Sequence, residues 1–496
     1  MTMQPVRVRF APSPTGFLHI GGARTALYNY LLARQTGGSF VLRIEDTDQE
    51  RLVPGAFENM LAGLRWLGLQ WDEGPQVGGA HAPYVQSERA ALHRARAEQL
   101  VLAGQAYHCF CTRERLDALR TEQRVLKRPP RYDGQCRNLA PAVAAQLRAA
   151  GTPAVIRFKT PADGSTTVTD AIRGDITVQN STIDDFIILK SDGLSLYHLA
   201  AMADDHAMGI THVIRADEWL PSLPKHALIL RAFGWPEPVW CHLSVFRKPS
   251  GKGKMSKRDA AELRGSEGHS IFVHELREIG YLPAAVLNWL ALMGWSYDDQ
   301  KEDFDMAELV RCFSLARVNP AAAAVNFEKL DHFQGVHLRR MLPQELAAAL
   351  VPHFMAAGLP ADLSLLERIV PLIQERITTF EDAPPLAGFF FRESVDCNSA
   401  DLLVKDKTAG ESAVVLQRAH AVLAALPTAQ HSAANAALAA LAAELELKPG
   451  QLFSPLRMAV TGQKVSPPLF ETMELLGRDV VLARISAATQ LLLLAA

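Results

Sequence analysis

The chain has 496 residues, 48% hydrophobic and 21% charged, with seven Trp and 21 Phe; this is the make-up of a globular protein of several domains and excludes a disordered or fibrous chain. No apolar run reaches the roughly 18 residues of a membrane span and no basic-then-apolar leader opens the sequence, which predicts a cytoplasmic protein, and six Cys in so long a chain are no disulfide framework. The formal net charge of -2 speaks mildly against a nucleic-acid partner, although local charge decides more than the sum.

Residues 6–10 alternate as a half-buried strand does, and Ala23, Ala26, Leu27, Tyr30 and Leu31 then recur at helical spacing until Gly37 and Gly38 stop the run. Residues 39–44 read as the next strand. The opening is therefore a strand–helix–strand unit of a parallel sheet, whose ligands bind beyond the carboxyl ends of the strands. The connecting stretch is Phe10-Ala11-Pro12-Ser13-Pro14-Thr15-Gly16-Phe17-Leu18-His19-Ile20-Gly21-Gly22. Its prolines stiffen the backbone, Gly21 and Gly22 carry no Cβ, and N–H groups at the helix start can meet phosphate. His19 can add a hydrogen bond. A lone Gly-Gly, however, is as readily an ordinary turn beside a surface histidine.

A helix is predicted after Val53-Pro54-Gly55, with Met60, Leu61, Leu64, Trp66 and Leu67 as its apolar stripe, and another from a cap at Ser87. From about residue 106 short β-like runs at 154–158 and 185–189 enclose a basic helix. Residues 113–137 hold Arg113, Arg115, Arg120, Arg124, Lys127, Arg128, Arg131 and Arg137 against Glu114, Asp117, Glu122 and Asp133, for which a solvated helix face is the plain reading. Further on, residues 212–215 read as a strand followed by Asp217, Glu218 and Trp219, and an amphipathic helix covers 222–233. Arg215 at that strand end is well placed to take a carboxylate in two hydrogen bonds. Lys252-Gly253-Lys254-Met255-Ser256-Lys257-Arg258 is a glycine-loosened loop with closely spaced cations, by itself a charged surface loop. Beyond Asp331 the stretches 346–350, 366–377 and 433–447 are helix formers without strand-like alternation, and no internal repeat is visible.

The stretch 10–22 resembles the HIGH signature of class I aminoacyl-tRNA synthetases in the form that bacterial-type glutamyl-tRNA synthetases carry, with Gly22 where the generic signature ends in His. Ile44-Glu45-Asp46-Thr47-Asp48 follows as it does there, Lys252 to Arg258 resembles the KMSKS signature, and 447–451 and 455–462 resemble the family's last segment. The resemblance implies an α/β fold: a Rossmann-type doubly wound parallel sheet with an inserted α+β domain, then an all-α anticodon-binding half. The implied boundaries are a catalytic domain over 1–330, with an acceptor-stem-binding insertion at about 105–190 and a stem-contact region bearing the second signature at about 240–330, and a helical anticodon-binding domain over 331–496.

It also implies a glutamate–tRNA ligase, which makes glutamyl-adenylate from glutamate and ATP with Mg²⁺ and passes the glutamyl group to tRNA(Glu), as a monomer. Carried over residue by residue, His19, Lys254 and Lys257 are catalytic. His19, Gly21, Gly22, Glu218, Trp219, Lys254, Met255 and Lys257 hold ATP, while Arg9, Ala11, Ser13, Glu45, Tyr197 and Arg215 hold glutamate. Arg376 stands where the family places an anticodon-discriminating Arg. Some relatives bind zinc through Cys-x-Cys…Cys-x-His. Here Cys109, Cys111 and Cys136 are followed by Asn138, a poor ligand, so zinc is not favoured and free thiols are expected. A glutamine–tRNA ligase and a non-catalytic tRNA-binding relative are the alternatives. Pro12-Ser13-Pro14-Thr15 departs from the Pro-Glu-Pro-Asn of the former, and the complete second signature speaks against the latter.

Overall fold

The first elements follow from alternation and glycine punctuation. Strand β1 (Arg7–Phe10) leads through the loop to helix α1 (Ile20–Thr36), which ends where Gly37 turns left-handed at φ 64, and β2 (Ser39–Leu42) returns parallel to β1 with Arg7 opposite Ser39. The structure is a computed structural model describing residues 5–426 and 430–496, without the side chains of Lys257, Ser266 and Glu267. Next come α2 (Ala56–Trp66), α3 (Ala90–Leu102), β3 (Ala106–Cys109), α4 (Arg113–Val125), α5 (Pro141–Ala149), β4 (Val155–Phe158), β5 (Ser165–Asp170), β6 (Gly174–Gln179) and β7 (Ile187–Leu189). Helix α6 (Tyr197–Ala207), β8 (His212–Ala216), α7 (Leu223–Phe233) and β9 (Val239–Leu243) complete this part.

The central sheet is assembled from sequence-distant strands. β8 lies on the free side of β1, joined by Thr211 N–H to the Arg7 carbonyl (2.9 Å) and Arg7 N–H to Thr211 Oγ1 (2.9 Å), and β9 pairs parallel with β8. The parallel order is thus β2–β1–β8–β9, the doubly wound arrangement expected. Leu199, Met202, Val213, Leu223, Ile229 and Trp240 belong to one core beneath it. Within the stretch 105–190 the strands go to two sheets. β3, β4 and β7 form an antiparallel sheet of their own, while the β5–β6 hairpin extends the central one through Asp170 opposite Trp240.

Two local expectations need correction. Ser87 does not cap a helix; its N–H and Oγ donate to Asp46 at 2.8 and 2.6 Å, tying down the loop after Glu45, and α3 starts only at Ala90. Arg376 is not on a helix either, because the helix Leu363–Ile373 stops before it and leaves it exposed in a turn.

The chain divides into two compact units, residues 1–277 with 283–327, and residues 278–282 with 328–496. The second unit is helical and has two cores, one built on Leu338, Leu350, Phe354 and Ile369, the other on Leu416, Leu438, Leu456 and Ile485. Residues 278–282 are fastened within it. The Tyr281 hydroxyl donates to Asp331 (2.5 Å), Leu282 N–H donates to Gln334 Oε1 (2.8 Å), and Gln334 Nε2 donates to the Gly280 carbonyl (3.0 Å). Gly280 has φ +96, and a Cβ there would run into Phe380. Among the described residues no helix is long and apolar enough to cross a membrane.

Candidate active site

The loop between β1 and α1 is fixed from several sides. Glu45 N–H donates to the Pro12 carbonyl (2.9 Å), Leu18 N–H to Asn59 Oδ1 (3.1 Å) and Ile20 N–H to the Ile271 carbonyl (2.9 Å). His19 is the N-cap of α1, and its Nδ1 accepts from Gly21 N–H at 3.1 Å and Gly22 N–H at 3.4 Å. A neutral ring that accepts at Nδ1 carries its proton on Nε2. The amides expected to meet phosphate are thus engaged by the histidine that precedes them, in the manner of any side-chain cap.

This loop borders a cavity of about 610 Å³. Arg9, Ala11, Ser13, His19, Gly21, Gly22, Glu45, Tyr197, Arg215, Glu218, Trp219, Lys254 and Met255 all line it. The side chain of Lys257 lies outside the described residues, and Arg376 belongs to the second unit. Sequence reasoning missed the residues that hold this lining in place. Buried Asp205 accepts from Arg9 Nε (3.0 Å) and Nη2 (3.3 Å) and from Arg43 Nη1 (2.7 Å), while Arg43 Nη2 donates to Glu45 (2.8 Å). Burial alone would raise the Asp205 carboxyl, but Arg9 and Arg43 outweigh it and hold the group below its ordinary value. At Glu45 the balance reverses, and burial pushes the carboxyl up against the pull of Arg43. The pair Asp204-Asp205 was the one sequence signal available for this network.

Arg215 is held differently. Its Nε donates to His242 Nε2 (3.0 Å), and its Nη1 lies 3.1 Å from His226 Nδ1 and 3.2 Å from the Tyr197 hydroxyl. Its Nη2 is buried without a partner. Across the cavity the rings of Tyr197 and Trp219 pack with centroids 4.2 Å apart.

The second cationic loop turns back on itself: Met255 N–H donates to the Phe246 carbonyl (2.9 Å), and Gly251 and Gly253 adopt φ 72 and 79. Lys254 Nζ pairs with Glu218 at 2.5 Å, so two residues expected at the ATP site bridge each other at the rim. Both are about half exposed, and an exposed pair of this kind is worth at most about 1 kcal/mol. A nucleotide can part it at little cost.

Away from the cavity, the sulfurs of Cys109, Cys111 and Cys136 lie within 4.8 Å of one another. The Tyr132 hydroxyl is 3.4 Å from the sulfurs of both Cys109 and Cys111, and Cys136 N–H donates to it at 2.9 Å. Asn138, where the sequence sought a fourth ligand, is exposed. The adjacent α4 buries no residue, and its flanks are partly neutralised: Arg115 pairs with Asp133, and Arg137 with Asp185 at 2.5 Å.

Residues 5–332 match the family described as tRNA synthetases class I (E and Q), catalytic domain, and residues 345–489 match an anticodon binding domain. A glutamate–tRNA ligase of Dehalococcoides mccartyi is 46% identical over 97% of each chain, and one of Roseiflexus castenholzii 44% over 98% of this chain and 97% of that one. Among solved structures, a glutamate tRNA ligase of Elizabethkingia meningosepticum in complex with its amino acid superposes with a TM-score of 0.88 at 37% identity, covering 99% of this chain and all of that one. The glutamate-tRNA synthetase of Elizabethkingia anophelis gives 0.86 at 36%, covering 98% and 100%. Likeness of that depth, running unbroken through both units, settles kinship: the chain belongs to the class I tRNA synthetases of the E and Q group, among the glutamate–tRNA ligases.

Proposed function

We propose that this chain activates L-glutamate with ATP and transfers it to tRNA(Glu), using the cavity beside the His19 loop. One observation carries the reading: a phosphate-type loop, an uncompensated Arg215, a neutralised Arg9 and a buried Glu45 share one cavity. A substrate with two carboxylates and an ammonium needs basic donors and one acid, which these side chains supply. Glutamate attacks ATP through a carboxylate oxygen. That oxygen bonds to the α-phosphorus as the bond to the bridging oxygen breaks, and pyrophosphate leaves. The terminal adenosine hydroxyl of tRNA then attacks the glutamyl carbonyl, loses its proton, and AMP departs. No covalent enzyme intermediate is required, so the protein contributes positioning and charge stabilisation.

In this scheme His19 offers its Nε2 proton to phosphate oxygens while its Nδ1 keeps the start of α1 in shape. Lys254 and Lys257 meet the charge on the departing pyrophosphate, and Glu218, Trp219 and Met255 flank the adenosine. Mg²⁺ is part of the nucleotide substrate, carried by its phosphates. The helical unit takes the anticodon end of tRNA, with Arg376 and the nearby Arg457 as cations for it. The exposed face of α4 serves the acceptor end.

Cys109, Cys111, Cys136 and Tyr132 fit a structural zinc. The 3.6 Å between the Cys111 and Cys136 sulfurs and the 3.4 Å sulfur–oxygen distances are those of neighbouring corners around a tetrahedral ion with bonds of about 2.0 to 2.3 Å. On this proposal the fourth corner is Tyr132 rather than Asn138, in place of the free thiols that the sequence favours. Such an ion would tie the end of β3 to the segment 132–136 and take no part in the reaction.

Aminoacylation with labelled glutamate on purified glutamate and glutamine tRNAs, measured separately, tests the function. Charging of tRNA(Glu) is expected. Charging with glutamine instead would favour the glutamine–tRNA ligase alternative, and an absence of ATP–pyrophosphate exchange with tRNA present would favour a non-catalytic relative.

A further inference from the structure

Two guanidiniums face the same cavity and are held in opposite ways. Arg9 is neutralised by Asp205. Arg215, 6% exposed, has no carboxylate at ion-pair distance among the described residues. Its acceptors are all uncharged: the imidazoles of His226 and His242, both fully buried, and the Tyr197 hydroxyl 3.2 Å from Nη1. Arginine only donates, so His242 Nε2 and His226 Nδ1 must accept, and the remaining ring protons are forced to the far sides. On His242 the Nδ1 proton goes to Asp170 Oδ2 at 2.6 Å; on His226 the Nε2 proton goes to His198 Nδ1 at 3.1 Å. Neither ring can take up a second proton without losing its bond to Arg215. Burial and the neighbouring cation push both imidazoles below their ordinary pKa, in keeping with this.

Leaving a buried guanidinium without a counter-charge is costly unless something completes it. A carboxylate closer to Arg215 would satisfy Nη2 permanently; neutral acceptors leave it open. Resting on the functional reading above, we infer that His226 and His242 are specificity-determining positioning residues, which fix Arg215 through uncharged acceptors and so reserve its charge for the substrate's side-chain carboxylate. Glutamine presents an amide there, whose oxygen can accept a hydrogen bond from Nη2 but brings no counter-charge to the buried guanidinium. Asp170 orients His242 from one ring's width away, and His198 orients His226.

The test compares His226→Asn, whose amide oxygen stands near the place of Nδ1, with His226→Asp, which differs from it only in charge. Aminoacylation of tRNA(Glu) by the full chain is measured with labelled glutamate and with labelled glutamine. The Asn variant is expected to keep the wild-type preference within about threefold, while the Asp variant loses about tenfold or more of the glutamate-to-glutamine ratio, with KM for ATP unchanged. A folded Asp variant with the wild-type ratio overturns the inference, and so does an Asn variant as impaired as the Asp one. If His226→Asp does not fold, His242→Leu is compared with His242→Gln, whose amide can reach the Nε2 position. A KM for glutamate raised about tenfold in Leu and restored in Gln supports the inference, and an unchanged KM in Leu overturns it. A wild-type chain that charges no glutamate sinks the functional reading and the inference together; wild-type charging with unmoved ratios sinks the inference alone.

Discussion

At the scale of single residues, the cavity sorts its charges by what surrounds them. Lys254 rests on an exposed carboxylate that a nucleotide can displace, and in the proposed function it shares the charge of the departing pyrophosphate with Lys257. Lys257→Ala is expected to slow adenylate formation about 100-fold, since one donor to a developing charge is typically worth about 3 kcal/mol, with little change in glutamate affinity. Pyrophosphate exchange measured with tRNA present checks this; near-normal exchange would remove Lys257 from the site.

The buried histidines make a second residue-level prediction. Burial pushes the His198 imidazole down to about 3 and His226 well below its ordinary value. These rings stay neutral in the fold but take a proton when unfolded, near pH 6.5. Their contribution is therefore intact above that pH and declines as pH falls below it, by about 1.4 kcal/mol per pH unit for each ring. Urea unfolding between pH 7.5 and 5.5 should show this slope, and His198→Gln should flatten it by about one ring's share. A variant as acid-sensitive as the wild type would mean that His198 titrates alike in both states. None of this was readable from the chain, where His226 and His242 are isolated letters on an apolar helix and strand. Arg215, by contrast, was readable because it ends a strand beside two acids.

At the scale of elements, legibility followed sequence distance. The β1–loop–α1 unit was read correctly because its punctuation is local: prolines, paired glycines and the stop at Gly37. The partition of 105–190 between two sheets was not, since it depends on β5 meeting β9 some seventy residues on. Tyr132 escaped for another reason. It has the chemistry of a core aromatic until the fold brings its hydroxyl against two thiols. Full-length protein purified without chelator is expected to carry one zinc per chain, and Tyr132→Phe to weaken retention about tenfold or more in competition with a chelator. Metal content at background in the wild type would return the cysteines to free core thiols.

At the scale of the whole molecule, a net charge of -2 was a poor guide to partners, because the eight cations against four acids of residues 113–137, and Arg376 with the nearby Arg457, are offset by acids elsewhere. Those local cations are what a tRNA would meet. Arg376→Ala is expected to cost roughly 1 to 3 kcal/mol in charging of tRNA(Glu), by an amount that depends on the anticodon base if the guanidinium reads it. Comparing tRNA(Glu) with an anticodon-mutated version decides the point. An equal loss on both tRNAs would make it a phosphate contact, and no loss on either would remove Arg376 from the interface.

The chain passes between its two units three times, since residues 278–282 belong with the helices that follow Phe327 while 283–327 belong with the catalytic unit. The helical half is consequently not a cassette. A graft that begins at Glu328 leaves behind Gly280, Tyr281 and Leu282, whose partners Gln334 and Asp331 travel with the insert. Exchanging halves between two such enzymes by a single crossover would strand one parent's five-residue strap on the other's helices, with Phe380 demanding a glycine at 280. Chimeras should be rescued by co-transferring 278–282, and gene recombination between relatives faces the same three-breakpoint constraint.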